Sequence, residues 1–433
     1  MHLSRYLKIY PYEEKPGYLL LFSTKKTSKV LITEETYRAA KAGTLSDSDQ
    51  KLLIKLGMLV PDRDVEKQEM LGFVDELNRR NTSLNITVVL NLDCNFACLY
   101  CYEGGIKGKL YMSDKTADSV IDFIKARLTN GKKFLNIDFY GGEPLLAVDT
   151  IKRITGTLKK QAETIGASFS FTLVTNGSLL TRNRVEELVP LGLKGVKITL
   201  DGPPENHNRY RPFKSGAGSF DVIIQNIKDS CDILKIGVGG NYDRNNYEQF
   251  TNLLDLLEAE GLTPDRLASV KFDPVMKHPE GEEAPSDYRD GCMSVNELWI
   301  TEAEKLLRGA IIKKGYNTSS QRPSPCQIEF GEMHVINFDG RLYKCPAFIG
   351  KEGFDLGDIK TGMAGDINSV YRPGIWKNEE KCFDCEYLPL CFGGCRYMAY
   401  LQNGSLDKLD CKKEYLDRSL EISIKQDILN SPG

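Results

Sequence analysis

Through the middle of the chain, short apolar runs alternate with longer stretches of helical periodicity. Runs at 84–90, 134–140, 168–174, 195–200, 235–238 and 270–272 predict six strands. Apolar residues at helical spacing fill the intervals at roughly 114–129, 147–164, 181–190, 220–234 and 247–260. Strands joined by crossover helices make a parallel sheet, open or curled into a partial barrel, and such sheets collect ligands at the carboxyl ends of their strands. The first 82 residues read differently, as a small α+β unit. Strand-like runs at 6–12, 18–22 and 28–32 are followed by helices opened by Thr33, Ser46 and Asp62, each a good N-cap ahead of acidic or polar residues. Polar stretches at 279–290 and 317–325 predict linkers, and 335–343 reads as a hairpin.

Composition narrows the class. With 41% hydrophobic and 27% charged residues, the 433-residue chain is an ordinary globular protein, not a disordered, collagen-like or coiled-coil one. The net charge of −3 offers no global field for nucleic acid. The longest apolar runs are too short to cross a bilayer, and the N-terminal residues lack the apolar segment of a signal peptide. A cytoplasmic location without membrane or nucleic-acid partners is expected. Twelve cysteines then stand out, because a reducing compartment disfavours disulfides and favours metal or redox chemistry.

Their distribution is uneven. Cys94, Cys98 and Cys101 follow the first predicted barrel strand, Cys231 and Cys292 stand alone, and Cys326, Cys345, Cys382, Cys385, Cys391, Cys395 and Cys411 occupy the last quarter. Three thiolates at spacings of four and three on one loop can hold three corners of an iron–sulfur cube and leave one iron open. Zinc is the alternative, although a structural zinc site asks for four closed ligands. Cys231 falls on an apolar stripe with Phe220, Ile224, Ile227 and Leu234 and reads as core. The histidines at 2, 207, 278 and 334 lack metal-ligand spacing, and Trp299 and Trp376 read as packing residues. Asp273 and Tyr288 are further candidates to face a substrate.

The motif Cys94-x3-Cys98-x2-Cys101, with Tyr100 before the last cysteine, resembles the radical S-adenosylmethionine (SAM) superfamily. Gly141-Gly142-Glu143-Pro144, Thr175-Asn176-Gly177 and Thr199-Leu200-Asp201-Gly202 follow the next three predicted strands, as that family's cofactor motifs do. The resemblance implies an α/β fold built on a partial (β/α)6 barrel, with a 4Fe–4S cluster on the three cysteines. It also implies that SAM is held by Tyr100, Gly141, Gly142, Glu143, Asn176, Thr199, Asp201 and Arg211, with Arg209 the alternative arginine.

Gly340-x4-Cys345 and Cys382-x2-Cys385-x5-Cys391-x3-Cys395 resemble the SPASM extension of the same superfamily, which carries two auxiliary 4Fe–4S clusters. By that resemblance Cys382, Cys385, Cys391 and Cys411 bind the outer cluster, and Cys326, Cys345 and Cys395 the inner one. Zinc remains the alternative for the Cys-x2-Cys pair. Seven thiolates are one short of the eight that two closed cubes take, so Cys292 or a substrate thiol completes the set, or an iron stays open.

The predicted division is a winged-helix-like precursor-recognition domain at 1–82, the barrel at 83–290, a bridge at 291–325 and the SPASM domain at 326–433. This layout resembles peptide maturases, in particular thioether-forming ones of the geopeptide type. The expected substrate is a ribosomally made precursor peptide whose leader adds to the N-terminal sheet. Flavodoxin or ferredoxin is the expected electron donor. The alternatives are a sulfatase-maturing enzyme, a carbon–carbon crosslinker or an epimerase. In the sulfatase-maturing family an aspartate follows the cysteine at the position of Cys345, where this chain has Pro346.

Overall fold

The computed structural model describes residues 1–129, 131–277, 290–363 and 366–429. The predicted linker at 279–290, apart from Asp290, lies outside them, as do His278 and Tyr288. The chain divides into two compact units, each assembled from separated segments.

The larger unit comprises Asn81–Ser319, Gly331–Tyr371 and the chain from Gln426. Its parallel strands are β1 (Ser83–Val89), β2 (Phe134–Tyr140), β3 (Ser168–Thr175), β4 (Leu193–Thr199), β5 (Lys235–Tyr242) and β6 (Ser269–Pro274). They pair in sequence order, and β1 pairs on its other side with β7 (Met333–Ile336), itself the antiparallel partner of β8 (Leu342–Tyr343). Among the described residues this sheet therefore has eight strands. Helices α1 (Asp114–Arg127), α2 (Val148–Thr164), α3 (Arg182–Leu188), α4 (Phe220–Ser230) and α5 (Phe250–Ala259) occupy the predicted intervals. Period-two alternation separates the two faces of the sheet. Ile86, Ile137, Phe139, Phe171 and Ile198 are buried on one face. On the other, Asn85, Asn136 and Ser170 form a hydrogen-bonded row, with Asn136 Nδ2 donating to Asn85 Oδ1 at 3.0 Å and Ser170 Oγ donating to Asn136 Oδ1 at 3.0 Å.

Two elements run beyond the sequence expectation. Strand β5 continues four residues past 238 through Gly239 and Gly240, where a Cβ at Gly240 would stand 2.4 Å from the carbonyl oxygen of Leu200. Glycine there marks a close strand approach rather than a strand end. The predicted bridge contains a 16-residue helix, Leu298–Lys313. The α4 helix ends at Ser230, so half-buried Cys231 caps it, its thiol donating to the carbonyl of Lys228 at 3.7 Å.

The smaller unit comprises Met1–Arg80, Ser320–Phe330 and Arg372–Lys425. The three predicted N-terminal strands form an antiparallel sheet of Leu7–Pro11, Tyr18–Ser23 and Lys29–Thr33, with Tyr18–Ser23 in the centre. All three expected N-caps are present: Thr33 accepts from Thr36 N–H, Ser46 from Asp49 N–H, and Asp62 from Asp64 and Val65 N–H. One core gathers Leu21, Ile32, Ala40, Leu53, Met58 and Leu59. A second joins Tyr6, Met70 and Val74 to Trp376, Leu388, Phe392 and Leu409, so the first 80 residues share their interior with the cysteine-rich segment. Each such side chain contributes roughly 1.5–3 kcal/mol by leaving water. The 331–371 segment, with Gly340 and Cys345, belongs instead to the barrel unit.

Glu66, 1% exposed, is compensated inside the smaller unit. It accepts from Ser4 Oγ at 2.7 Å, Arg5 N–H at 2.9 Å and Lys25 Nζ at 2.8 Å. Lys25→Met removes the cation and leaves a buried carboxylate, which costs about 3–5 kcal/mol. The urea midpoint of this unit is expected to fall accordingly, and Glu66→Gln in the same background is expected to recover part of the loss.

Candidate active site

Loops leaving the carboxyl ends of β1, β2 and β3 are joined by backbone contacts. Gly141 and Gly142 follow β2 and run against residues 91–93. Gly142 N–H donates to Asn91 O at 3.1 Å and Glu143 N–H to Asp93 O at 2.8 Å. A Cβ would stand 2.4 Å from Asn91 O at Gly141, whose φ is +139°, and 2.2 Å from Asp93 O at Gly142. Only glycine permits this approach. Asn91 Nδ2 closes the same junction by donating to Glu143 O at 3.0 Å.

Glu143 is fully buried and accepts from the Thr175 hydroxyl at 2.7 Å, Asn176 N–H at 2.8 Å and Leu145 N–H at 3.0 Å. Burial pushes its carboxyl above the ordinary range, against these donors. Asn176 Nδ2 lies 3.8 Å from Cys94 Sγ and donates to Asn95 Oδ1 at 2.7 Å. Phe96 N–H is 3.4 Å from the same sulfur. Burial pushes the Cys94 thiol up to about 11 and raises Cys98 as well. The ammonium of Lys107 faces all three thiols; burial opposes its charge, but Cys101, Cys94 and Cys98 outweigh that and raise its pKa.

A second constellation lies at the ends of β4 and β5. Tyr100 Oη donates to Asp201 Oδ2, and receives from Arg211 Nη1 at 2.7 Å and Asn241 Nδ2 at 3.0 Å. Asn241 N–H donates to Asp201 Oδ1 at 2.8 Å. Arg211 is buried with its Nε unpartnered, whereas Arg209 is exposed over the Tyr210 ring. Half-buried Thr199 ends β4. His207 accepts Asp201 N–H on Nδ1 at 3.0 Å. Its Nε2 lies 3.0 Å from Ser219 Oγ, whose own proton goes to Arg211 O at 2.7 Å. The ring is therefore neutral with Nε2 protonated, and burial, aided by the Arg211 charge, pushes its pKa well below the ordinary value.

Sequence reasoning missed Asn241, because the strand seemed to stop at the glycines before it; a polar residue closing a fifth strand was the available signal. It also missed Glu103, Tyr102 and Tyr140. Burial pushes the Glu103 carboxyl up to about 7, and the two tyrosine hydroxyls meet at 2.5 Å. Cys345, after β8, lies within electrostatic reach of Tyr140.

In the smaller unit, Cys382, Cys385, Cys391 and Cys411 line one apolar-walled cavity of about 70 Å³ with Lys381 and Lys413 beside them. Phe392, Gly393 and Gly394 have φ of +43°, +83° and +77°, and a Cβ at Gly394 would stand 2.0 Å from Asp410 O. That turn holds the loop between Cys391 and Cys395 against the residues before Cys411. Cys326 and Cys395 also lie in this unit, each as the residue before a helix. Buried Cys292 bridges Met276 beside β6 in the barrel unit.

Comparisons with known proteins decide the barrel. Residues 88–257 match the radical SAM superfamily. The barrel unit carries a radical SAM domain. The chain is similar to the radical SAM cyclopropyl synthase TigE of Paramaledivibacter caminithermalis, 24% identical over 72% of this chain and 67% of that protein. It is also similar to a cysteine-type anaerobic sulfatase-maturating enzyme of Clostridium novyi, 23% identical over 76% of this chain and 92% of the relative. The structure of anSMEcpe with bound AdoMet superposes with a TM-score of 0.62 at 18% identity, covering 80% of this chain and all of that one. Streptococcus suis SuiB bound to its precursor peptide SuiA gives 0.55 at 14% identity, over 95% and 98%.

The radical SAM family implies SAM and a 4Fe–4S cluster, and the residues present fit both. All twelve cysteines are reduced. The loop thiols face one cation, and the unpartnered Arg211 Nε is a ready donor for a carboxylate. Among the described residues no three His, Cys, Asp or Glu side chains converge on one point as a single ion needs. A cube takes its thiolates at separate iron corners. When bound, cluster and SAM together supply a 5′-deoxyadenosyl radical.

Gly142→Ala in this radical SAM domain is expected to lower reconstituted iron by about four per chain, one cube's worth, and to abolish SAM binding; iron analysis and equilibrium dialysis read both. His207 gives a pH signature. Above its unfolded pKa of about 6.5 the ring is neutral in both states, and below it only the unfolded chain takes up a proton. Barrel stability is therefore lost as pH falls through 6.5 toward the depressed folded value. Denaturation series at several pH values should show this slope flattened in His207→Gln, which keeps one donor and one acceptor.

Proposed function

We propose that this enzyme is a SPASM-type maturase that modifies a ribosomally made precursor peptide, joining a cysteine thiol to a carbon as a thioether. The observation that carries a maturase reading is one compact unit holding both a three-stranded antiparallel sheet and a cavity lined by Cys382, Cys385, Cys391 and Cys411. The outer strands of that sheet, Leu7–Pro11 and Lys29–Thr33, are suited to receive a leader as an added strand, a mode that reads backbone more than side chains.

In this reading Cys94, Cys98 and Cys101 hold the radical cluster. Tyr100, Gly141, Gly142, Glu143, Asn176, Thr199, Asp201 and Arg211 form the SAM site, Arg211 taking the carboxylate through Nε. Cys382, Cys385, Cys391 and Cys411 hold the outer auxiliary cluster and Cys326, Cys345 and Cys395 the inner one. That leaves the ligand set one thiolate short, which motivates a thiol substrate. A reduced flavodoxin or ferredoxin supplies electrons.

Sulfatase maturation is the second reading, favoured by the similarity to enzymes of that name. Pro346 after Cys345 speaks against it, since it carries no side chain able to act as a base. The test is anaerobic incubation of the reconstituted, reduced enzyme with SAM and the precursor peptide encoded beside its gene. Thioether formation yields 5′-deoxyadenosine and a peptide lighter by two hydrogens, with one thiol no longer alkylatable. A formylglycine aldehyde in a sulfatase peptide would establish the second reading. Absence of 5′-deoxyadenosine under strict anoxia would overturn both.

A further inference from the structure

Arg396 follows Cys395 and is 1% exposed. One of its nitrogens, Nη2, donates to Leu406 O at 2.5 Å, while Nε and Nη1 have no partner among the described residues. A buried donor left without an acceptor is destabilising, the more so when charged, so a guanidinium kept in this position needs a counter-group. Glu329, 6% exposed in the same unit, is the nearest candidate by charge. Its Oε2 instead accepts Gly374 N–H at 2.8 Å and its Oε1 is itself unpartnered. After burial, Glu329 acts most strongly on the Arg396 charge and supports it, the sulfurs of Cys326 and Cys395 add to that support, and Arg372 opposes it; burial keeps the Cys326 thiol protonated until a metal group takes it as thiolate.

We infer that Arg396 directs Nε–H and Nη1–H at the auxiliary cluster held by Cys326 and Cys395, and that its fixed charge raises the reduction potential of that cluster. The inference rests on the SPASM reading above. Reduction adds one electron and one negative charge to a cluster, and a guanidinium already in place offsets that charge without taking up or releasing a proton. Only the attraction between the guanidinium and the added electron differs between the two oxidation states, and at an effective dielectric of about 20 its loss should raise the oxidised-to-reduced ratio at fixed solution potential about tenfold. For a one-electron couple that is about 59 mV to more negative potential.

Two measurements on the reconstituted full-length enzyme test this, with dithionite as reductant. The first is pulsed EPR on wild-type protein grown with guanidino-15N arginine. A 15N coupling to one reduced auxiliary cluster is expected. Its absence in protein carrying about twelve irons, three cubes' worth, overturns the inference; only about four irons overturns the SPASM reading instead. This measurement needs no variant to fold.

The second is an EPR-monitored redox titration of Arg396→Gln and Arg396→Lys. One auxiliary midpoint should move negative in the glutamine variant and return towards wild type in the lysine variant, with the other midpoints fixed. Unchanged midpoints, or equal iron loss in both variants, would leave Arg396 a packing residue, its donors met by a buried water shared with Glu329.

Discussion

The candidate site depends on a backbone contact that tolerates no side chain. Where β1 and β2 end, the glycine pair at 141–142 lies flat against residues 91–93, close enough that a methyl group at either position would overlap a carbonyl oxygen. This contact fixes the start of the cysteine loop and places Glu143 beneath the end of β3. Glu143 then fixes Thr175 and Asn176, and Asn176 reaches back to the sulfur of Cys94. Each link is buried and hydrogen-bonded, so the geometry is set by the sheet rather than by side-chain flexibility. A parallel sheet makes this possible because it brings all its βα loops to one edge.

Strands, helices and motif order were legible because each rests on short-range chemistry. Thr33, Ser46 and Asp62 cap helices as their residue types dictate, and Phe134–Tyr140 forms over its predicted span. What was not legible depends on distant segments. Nothing near Tyr6 announces that Trp376 and Phe392 will complete its surroundings. Nothing in 333–343 announces that its first strand extends the barrel sheet beside β1. The role of Asn241 was hidden by Gly239 and Gly240, which read locally as a strand end while the close approach of Leu200 makes them a strand interior. Short polar partners such as Asn91 carry no signature of their own, since their meaning comes entirely from the loop they meet.

The shared core of the smaller unit has a physical consequence. Leu388 and Leu409 lie among the four cysteines around the cavity, and with Phe392 they also pack on Tyr6, Met70 and Val74 from the N-terminal segment. Arg5 and Lys8 add ion pairs to Asp384 at 2.8 Å and Glu386 at 2.5 Å. Any group bound at those thiols in the folded state alone stabilises the whole unit by linkage, including the sheet formed by the first 33 residues. Occupancy of that cavity and stability of the N-terminal sheet are thus coupled through packing, with no separate conformational device.

Three cations are placed against cysteines in the two units: Lys107 and Arg211 in the barrel, Arg396 in the smaller unit. Burial opposes the charge of each, so none is stable where it lies unless an anion is permanently present beside it. For Lys107 and Arg211 the thiols, with Tyr100 and Asp201 beside Arg211, outweigh the burial; for Arg396 they do not, and two of its donor nitrogens stay unpaired. Apo protein would therefore carry an unmet electrostatic cost around Arg396. Such a cost is what a binding site retains when its ligand, rather than the fold, supplies the missing partner.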